Sequence, residues 1–172
     1  MSRKESPLEV AAKGGLAGLV GTAAITVAMK STPAIMERLG MSMPPPKTAD
    51  AKEKASGEPT EKLAEKVSTG VFEQPIDEDT RQAAGQAIHW SYGAAWGVLY
   101  GIVANSLRVP HLLLGLLFGG AVGAVASTLV PAMGLAAAPA DQPAAKNGMQ
   151  MAFTLLYGLV TALVFRVLSR DA

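Results

Sequence analysis

The sequence predicts an all-α fold: a polytopic membrane protein whose four transmembrane helices form a compact bundle packed along ridges of glycine. Three observations lead there. Charged side chains are absent from four long stretches, Gly14–Met29, Gln82–Leu107, Val109–Ala140 and Asn147–Phe165. Small residues recur at every fourth position within each of them. The 172-residue chain is 49% hydrophobic and only 17% charged, too little polar surface to cover four all-round apolar helices in a soluble domain.

A helix that crosses ~30 Å of hydrocarbon needs roughly 20 apolar residues at 1.5 Å each. The second, third and fourth stretches reach that length. The first covers about 24 Å, and Lys13 and Lys30 extend it by snorkelling to the interface. Spans are expected at about 10–30, 82–105, 111–130 and 148–168, in one membrane domain covering 1–172. Arg3 and Lys4 before an apolar run give the start a look of a signal peptide. Lys30-Ser31-Thr32-Pro33 follows in place of a small-x-small cleavage site, so the first span is expected to be retained.

Four spans put both termini on one side, with Arg3, Lys4, Lys13, Arg108, Arg166 and Arg170. The other side has nine Lys or Arg, most of them far from the span ends and interleaved with acids. Near-span charges weigh most in the positive-inside rule, so both termini are expected in the cytoplasm.

The only long polar segment is 31–79, with ten acids. Thr32 to Gly40 reads either as a short helix capped by Thr32 or as an extension of the first span kinked at Pro33. Pro44–Pro46 enforce an extended run, and Lys47–Gly57 reads as solvated linker. Glu58–Thr69 predicts two or three helical turns with a Glu58–Lys62 ion pair and a thin stripe at Leu63 and Val67, a solvated loop helix rather than one lying on headgroups. Asp77, Glu78 and Asp79 mark a helix start, with Asp77 as cap. Gly134, Pro139 and Pro143 make 131–143 a turn region close to the membrane surface.

The small-residue rows are the most specific pattern. They run Gly14, Gly18, Thr22, Thr26 in the first span and Gly85, His89, Gly93, Gly97, Gly101 in the second. The third has His111, Gly115, Gly119, Gly123, Ser127, and the fourth Thr154, Gly158, Ala162. Lipid tails are as apolar as leucine, so helices in a bilayer attract each other through close backbone approach, which small residues allow. The rows predict a tight antiparallel hairpin of the second and third spans, a glycine zipper closed by the first and fourth. Tyr92, Trp96 and Tyr100 form an aromatic row beside the glycines of the second span. Tyr157-Gly158 echoes Tyr100-Gly101, a hint of a duplicated helical hairpin.

Chemistry-bearing residues are few. His89 is the one strongly titratable side chain well inside a span, and with Tyr92 and Tyr100 it is the candidate functional group. It sits on the packed ridge, which favours a packing role with a hydrogen bond to a neighbour over proton relay or metal ligation. His111 begins the third span near the opposite face, on the order of 25 Å from His89, too far for a shared haem. No cysteine exists, and no Asp or Glu lies within a span. His-Glu-x-x-His, Gly-x-Ser-x-Gly and a phosphate loop are also missing. No catalytic residue, cofactor or metal is expected. A net charge of +1 argues against nucleic acid as a partner.

His89-x-x-Tyr92-Gly93-x-x-x-Gly97-x-x-Tyr100-Gly101, then Gly115-x-x-Phe118-Gly119, Pro131-x-x-Gly134-Leu135, Pro139 and Tyr157-Gly158 resemble the YagU-like uncharacterised bacterial inner-membrane proteins, over about residues 82–168. The resemblance implies a multi-pass inner-membrane protein. It implies no settled activity; an acid-stress connection is suggested for some relatives. Relatives often carry further histidines in the third and fourth spans, and Val122–Ala126 and Met149–Thr154 have none here.

The expected role is non-catalytic: a structural or accessory component of a membrane, with the lipid bilayer and a larger complex or a homo-oligomer as partners. The alternative is a small transporter or proton-linked channel using His89 with Thr22 and Thr26. Segment 31–79 has too little apolar surface to fold alone, and its expected anchors to a covering surface are Leu63, Val67, Val71 and Phe72. Limited proteolysis of the isolated protein should therefore cut first between Lys47 and Lys66; resistance there would mean a self-folded cap.

Overall fold

The computed structural model describes residues 6–38, 40, 58–71, 73 and 75–169. Among them the chain forms five α-helices: α1 (Pro7–Arg38), α2 (Pro59–Val71), α3 (Glu78–Ser106), α4 (His111–Ala132) and α5 (Ala144–Leu168), with a 3-10 turn at Pro139–Asp141. Of these, α1, α4 and α5 are long and apolar enough to cross a membrane. The chain buries only 33%, 33% and 28% of their most apolar windows, so most of each faces outward. Leu16, Val20, Leu116, Leu117, Leu163 and Val167 are on that uncovered surface. A soluble monomer rarely leaves so continuous an apolar surface bare. α3 is as long, but Gln82, Gln86, His89 and Ser91 dilute its apolar character.

Each helix end has a local cause. Ser6-Pro7-Leu8-Glu9 is a reciprocal capping box. The Ser6 hydroxyl accepts from the Glu9 amide at 3.2 Å, and the Glu9 carboxylate accepts from the Ser6 amide at 3.4 Å. Pro33 does not end α1, which passes through it to Arg38. Thr32 is therefore a helical residue, its hydroxyl bonded back to the Ala28 carbonyl at 2.7 Å. Gly40, at φ 65°, turns the chain just past the end, a conformation only glycine adopts freely. Asp77 caps α3, its carboxylate accepting from the Thr80 amide at 3.3 Å. Pro44–Pro46, Lys47–Gly57 and Phe72 lie outside the described residues.

α1 and α3 run antiparallel in backbone contact. A Cβ on Gly14 would stand 2.5 Å from the Gly97 carbonyl oxygen, and one on Gly97 would stand 2.5 Å from the Gly18 Cα. One on Gly101 would meet the Val10 carbonyl oxygen at 2.9 Å, and one on Gly93 would overlap the Thr22 hydroxyl. α4 and α5 form a second such pair. Gly115 faces the Gly158 carbonyl and Ala162, and Gly119 faces Thr154 and Leu155. Gly123 faces Thr154 and Met151, and Gly158 lies against the backbone of Gly115 and Gly119. The two pairs join where α1 meets α5: a Cβ on Gly21 would stand 2.5 Å from the Thr161 hydroxyl and 2.9 Å from the Tyr157 ring.

The expected hairpin of the second and third spans is corrected here. The backbones of α3 and α4 barely approach each other. Their gap is filled by rings instead: Trp96 lies 5.7 Å from Phe118 and Tyr100 lies 5.2 Å from it, both edge to face. The physical reason is that α3 turns its glycines toward α1 and its aromatic row toward α4. Tyr100, Phe118, Tyr157 and Phe165 then form the centre of the buried cluster.

These contacts separate two glycines by prediction. Gly97→Ala should lower the thermal midpoint in detergent, by about 1–3 kcal/mol of overpacking, because its Cβ has backbone in the way. Gly120→Ala meets nothing within 4 Å and should be neutral or gain up to about 1 kcal/mol of helix propensity. Equal midpoints for the two variants would remove the contact as a source of stability.

Candidate functional site

Three polar side chains, Thr22, Thr26 and His89, lie along the α1–α3 seam, and the buried Thr161 hydroxyl lies where α1 meets α5. The Thr22 hydroxyl donates to the Gly18 carbonyl at 2.9 Å and the Thr26 hydroxyl to the Thr22 carbonyl at 2.8 Å. These back-bonds let a hydroxyl lie in an apolar helix without an unpaired donor. Thr26 Oγ1 is also 3.3 Å from His89 Nε2. The Thr26 hydroxyl can donate either to the Thr22 carbonyl or to Nε2, and whether the oxygen or the nitrogen donates follows from the imidazole tautomer.

His89 is half-buried. α2 runs antiparallel beside the first turns of α3. A Cβ on Gly85 would stand 2.8 Å from the Glu61 side chain, and the Arg81 guanidinium is 3.7 Å from the Glu65 carboxylate. That register carries the turn at Glu58 down to the level of His89. Glu61 stands at Gly85, one turn before His89, so the histidine lies one turn inside the end of α3 that α2 covers. It stands where α3 changes partner: Gly85 receives α2, and Gly93, Gly97 and Gly101 receive α1.

α2 is held differently from the expectation. Ala64 is its buried residue and Leu63 is half-buried, whereas Val67 and Val71 are exposed. The close approach that Gly85 permits leaves room for a methyl group and not for a branched side chain. No Glu58–Lys62 pair forms; the Glu61 carboxylate accepts from the Glu58 amide at 3.1 Å instead. Lys66 Nζ donates to the Met133 carbonyl at the end of α4, at 2.7 Å. Arg81 also pairs with Glu78. Hydrogen bonds from Arg81 and then Gln82 hold the Glu78 carboxyl below its ordinary value, and the Glu78 carboxylate raises Arg81 in return.

Of the other candidates, Tyr92 is 41% exposed and lies edge-on to Trp96. Tyr100 is fully buried, its hydroxyl donating to the His111 carbonyl at 3.3 Å. His111 lies against Phe165 at the far end of the bundle from His89. The sequence reading did not place Tyr157, the group that ties the halves together: its hydroxyl donates to the Gly93 carbonyl at 2.6 Å, buried, from α5 to α3. The repeat of Tyr-Gly at 100–101 and 157–158 was the available signal. Among the described residues, no three His, Cys, Asp or Glu side chains group closely enough to hold a metal ion.

No protein-family model, curated protein or solved structure matches the chain. Its chemistry is therefore argued from these contacts alone. They offer one half-buried imidazole within reach of the Thr26 hydroxyl, two back-bonded threonine hydroxyls, two buried tyrosines each donating to a carbonyl, and the buried Thr161 hydroxyl without a partner among the described residues. Tyr157→Phe should cost about 1 kcal/mol in detergent unfolding, the net worth of one hydrogen bond. Tyr100→Phe should cost less, since its bond is longer; the reverse order would contradict the assignment.

Proposed function

We propose that the chain is a non-catalytic, multi-pass integral membrane protein with four spans, serving as a structural or accessory component of a membrane or of a larger membrane complex. The observation that carries this reading is how the interior hydroxyls other than Thr161 are used. The hydroxyls of Thr22, Thr26, Tyr100 and Tyr157 are each bonded to a backbone carbonyl. The glycine seams leave no space for even a methyl group at Gly18, Gly97 or Gly119. An interior closed in this way suits packing, and the uncovered apolar faces suit lipid and partner helices.

Support for α3 as the fourth span comes from its pairing. It lies antiparallel to α1 over the stretch Gly14–Thr26, so a bilayer around α1 also surrounds α3. With four spans the termini share a side, and Lys13, Arg108 and Arg166 near the span ends favour the cytoplasm for it. On the resemblance to the YagU-like proteins, this reading takes the membrane to be a bacterial inner membrane. Lipid and a second copy or a larger complex are the partners, and nucleic acid is not.

One contact favours a second reading. The His89–Thr26 pair sits near the end of α3 that α2 covers and could pass a proton, as a small transporter or proton-linked channel would require. The two readings part in liposomes. Reconstituted protein should show no pH-dependent flux of protons or small ions above empty vesicles, and His89→Ala should change only stability. A flux that His89→Ala abolishes would replace the structural reading with the transport one.

A further inference from the structure

We propose that the cavity between α2 and the turn after α4 binds the phosphate group of an anionic phospholipid headgroup. The cavity measures about 430 Å3 and is lined by Lys62, Glu65, Lys66, Thr69 and Gly134. Among the described residues the Lys62 ammonium has no ion-pair partner. Lys66 Nζ spends one of its three N–H bonds on the Met133 carbonyl and keeps two. Arg81, 3.7 Å from the Glu65 carboxylate, is already paired with Glu78, so the lining itself sets the balance: two lysines against the one Glu65 carboxylate, an excess of one positive charge. The Thr69 hydroxyl donates to the Glu65 carbonyl at 2.8 Å and contributes only shape. Gly134, at φ 68°, turns the backbone beneath Lys66 with no side chain; a Cβ there would stand 3.5 Å from Nζ.

The surroundings select a lipid over a soluble anion. Met133 and Leu129, one turn apart at the end of α4, are 40% and 50% exposed next to the cavity. The Lys66 ammonium, bonded to the Met133 carbonyl, therefore stands at the end of an exposed apolar strip on a helix able to cross the bilayer, with Lys62 lining the same cavity. A phospholipid has the same order, phosphate above acyl chain. Two lysines at the headgroup level attract anionic lipid by electrostatics, and their N–H groups bond the phosphate oxygens.

The proposal rests on the membrane reading, and the test keeps the two apart. The full chain is purified in mild detergent and titrated with phosphatidylglycerol, with phosphatidylcholine and with inorganic phosphate, and bound lipid is read by native mass spectrometry. Phosphatidylglycerol should be retained in preference to phosphatidylcholine, and millimolar phosphate should not displace it. Lys62→Gln should weaken retention roughly fivefold, the effect of one lysine near a headgroup. Lys66→Arg should keep it. Lys30→Gln, an exposed lysine on α1 outside the cavity, should leave it unchanged. Equal retention by the parent and Lys62→Gln, an equal loss with Lys30→Gln, or displacement by phosphate would each overturn the assignment. Release of the protein from membranes by carbonate without detergent would instead overturn the membrane reading.

Discussion

Everything else in the bundle depends on the contact between α1 and α3, where Gly14 and Gly18 lie against Gly93 and Gly97 with backbone touching backbone. At that separation carbonyl oxygens of one helix rest on Cα atoms of the other, so weak Cα–H···O contacts add to dispersion. Each glycine there costs about 1 kcal/mol of helix propensity relative to alanine. The contact must offset that cost, and it does so only if both helices keep one register. The register then fixes the rest: Thr22 opposite Gly93, Thr26 opposite His89, and Gly101 against Val10 and Phe165.

The second pair, α4 and α5, repeats the device with Gly115, Gly119 and Gly158. Joining two rigid pairs leaves two further seams, and they close by different means. α1 and α5 meet at Gly21, Tyr157 and Thr161, where small residues and one hydroxyl allow close approach. α3 and α4 stand apart and are bridged by Trp96, Phe118 and Tyr100. The division of labour is economical: glycine where helices touch, aromatic rings where they do not. The Tyr157 hydroxyl on the Gly93 carbonyl crosses from one pair to the other at the centre of the first seam.

α2 belongs to a different physical regime. Its hold on α3 and α4 is made of a single buried alanine, a Glu65–Arg81 pair and the Lys66 bond to Met133. Exposed ion pairs contribute little, at most about 1 kcal/mol. The helix is thus a weakly attached element at the polar end, and it ends the small-residue ridge of α3 by taking Gly85. His89 marks that boundary. Its ring meets Thr26 of α1, and α2 covers the turn before it at Gly85.

The sequence by itself determined the helices. Uncharged runs, Asp77 as a cap, Gly40 and Gly134 as turn residues and fourfold-spaced small residues are local signals, because hydrogen bonding and helix geometry act within a few residues. Ser6 and Glu9 carried an equally local signal that the reading passed over. What the sequence could not decide is which ridge meets which. All four rows are chemically alike, so glycine spacing permits several pairings, and the short α3–α4 connection suggests the wrong one. Tertiary structure chose through side-chain volume. Trp96 and Tyr100 hold α4 away from α3, and α1, with nothing larger than Thr22 on its inner face against Gly93, comes close. The same choice set the surroundings of His89, between Thr26 of α1 and the end of α3 that α2 covers, because a residue's neighbours on other helices do not follow from its place along its own.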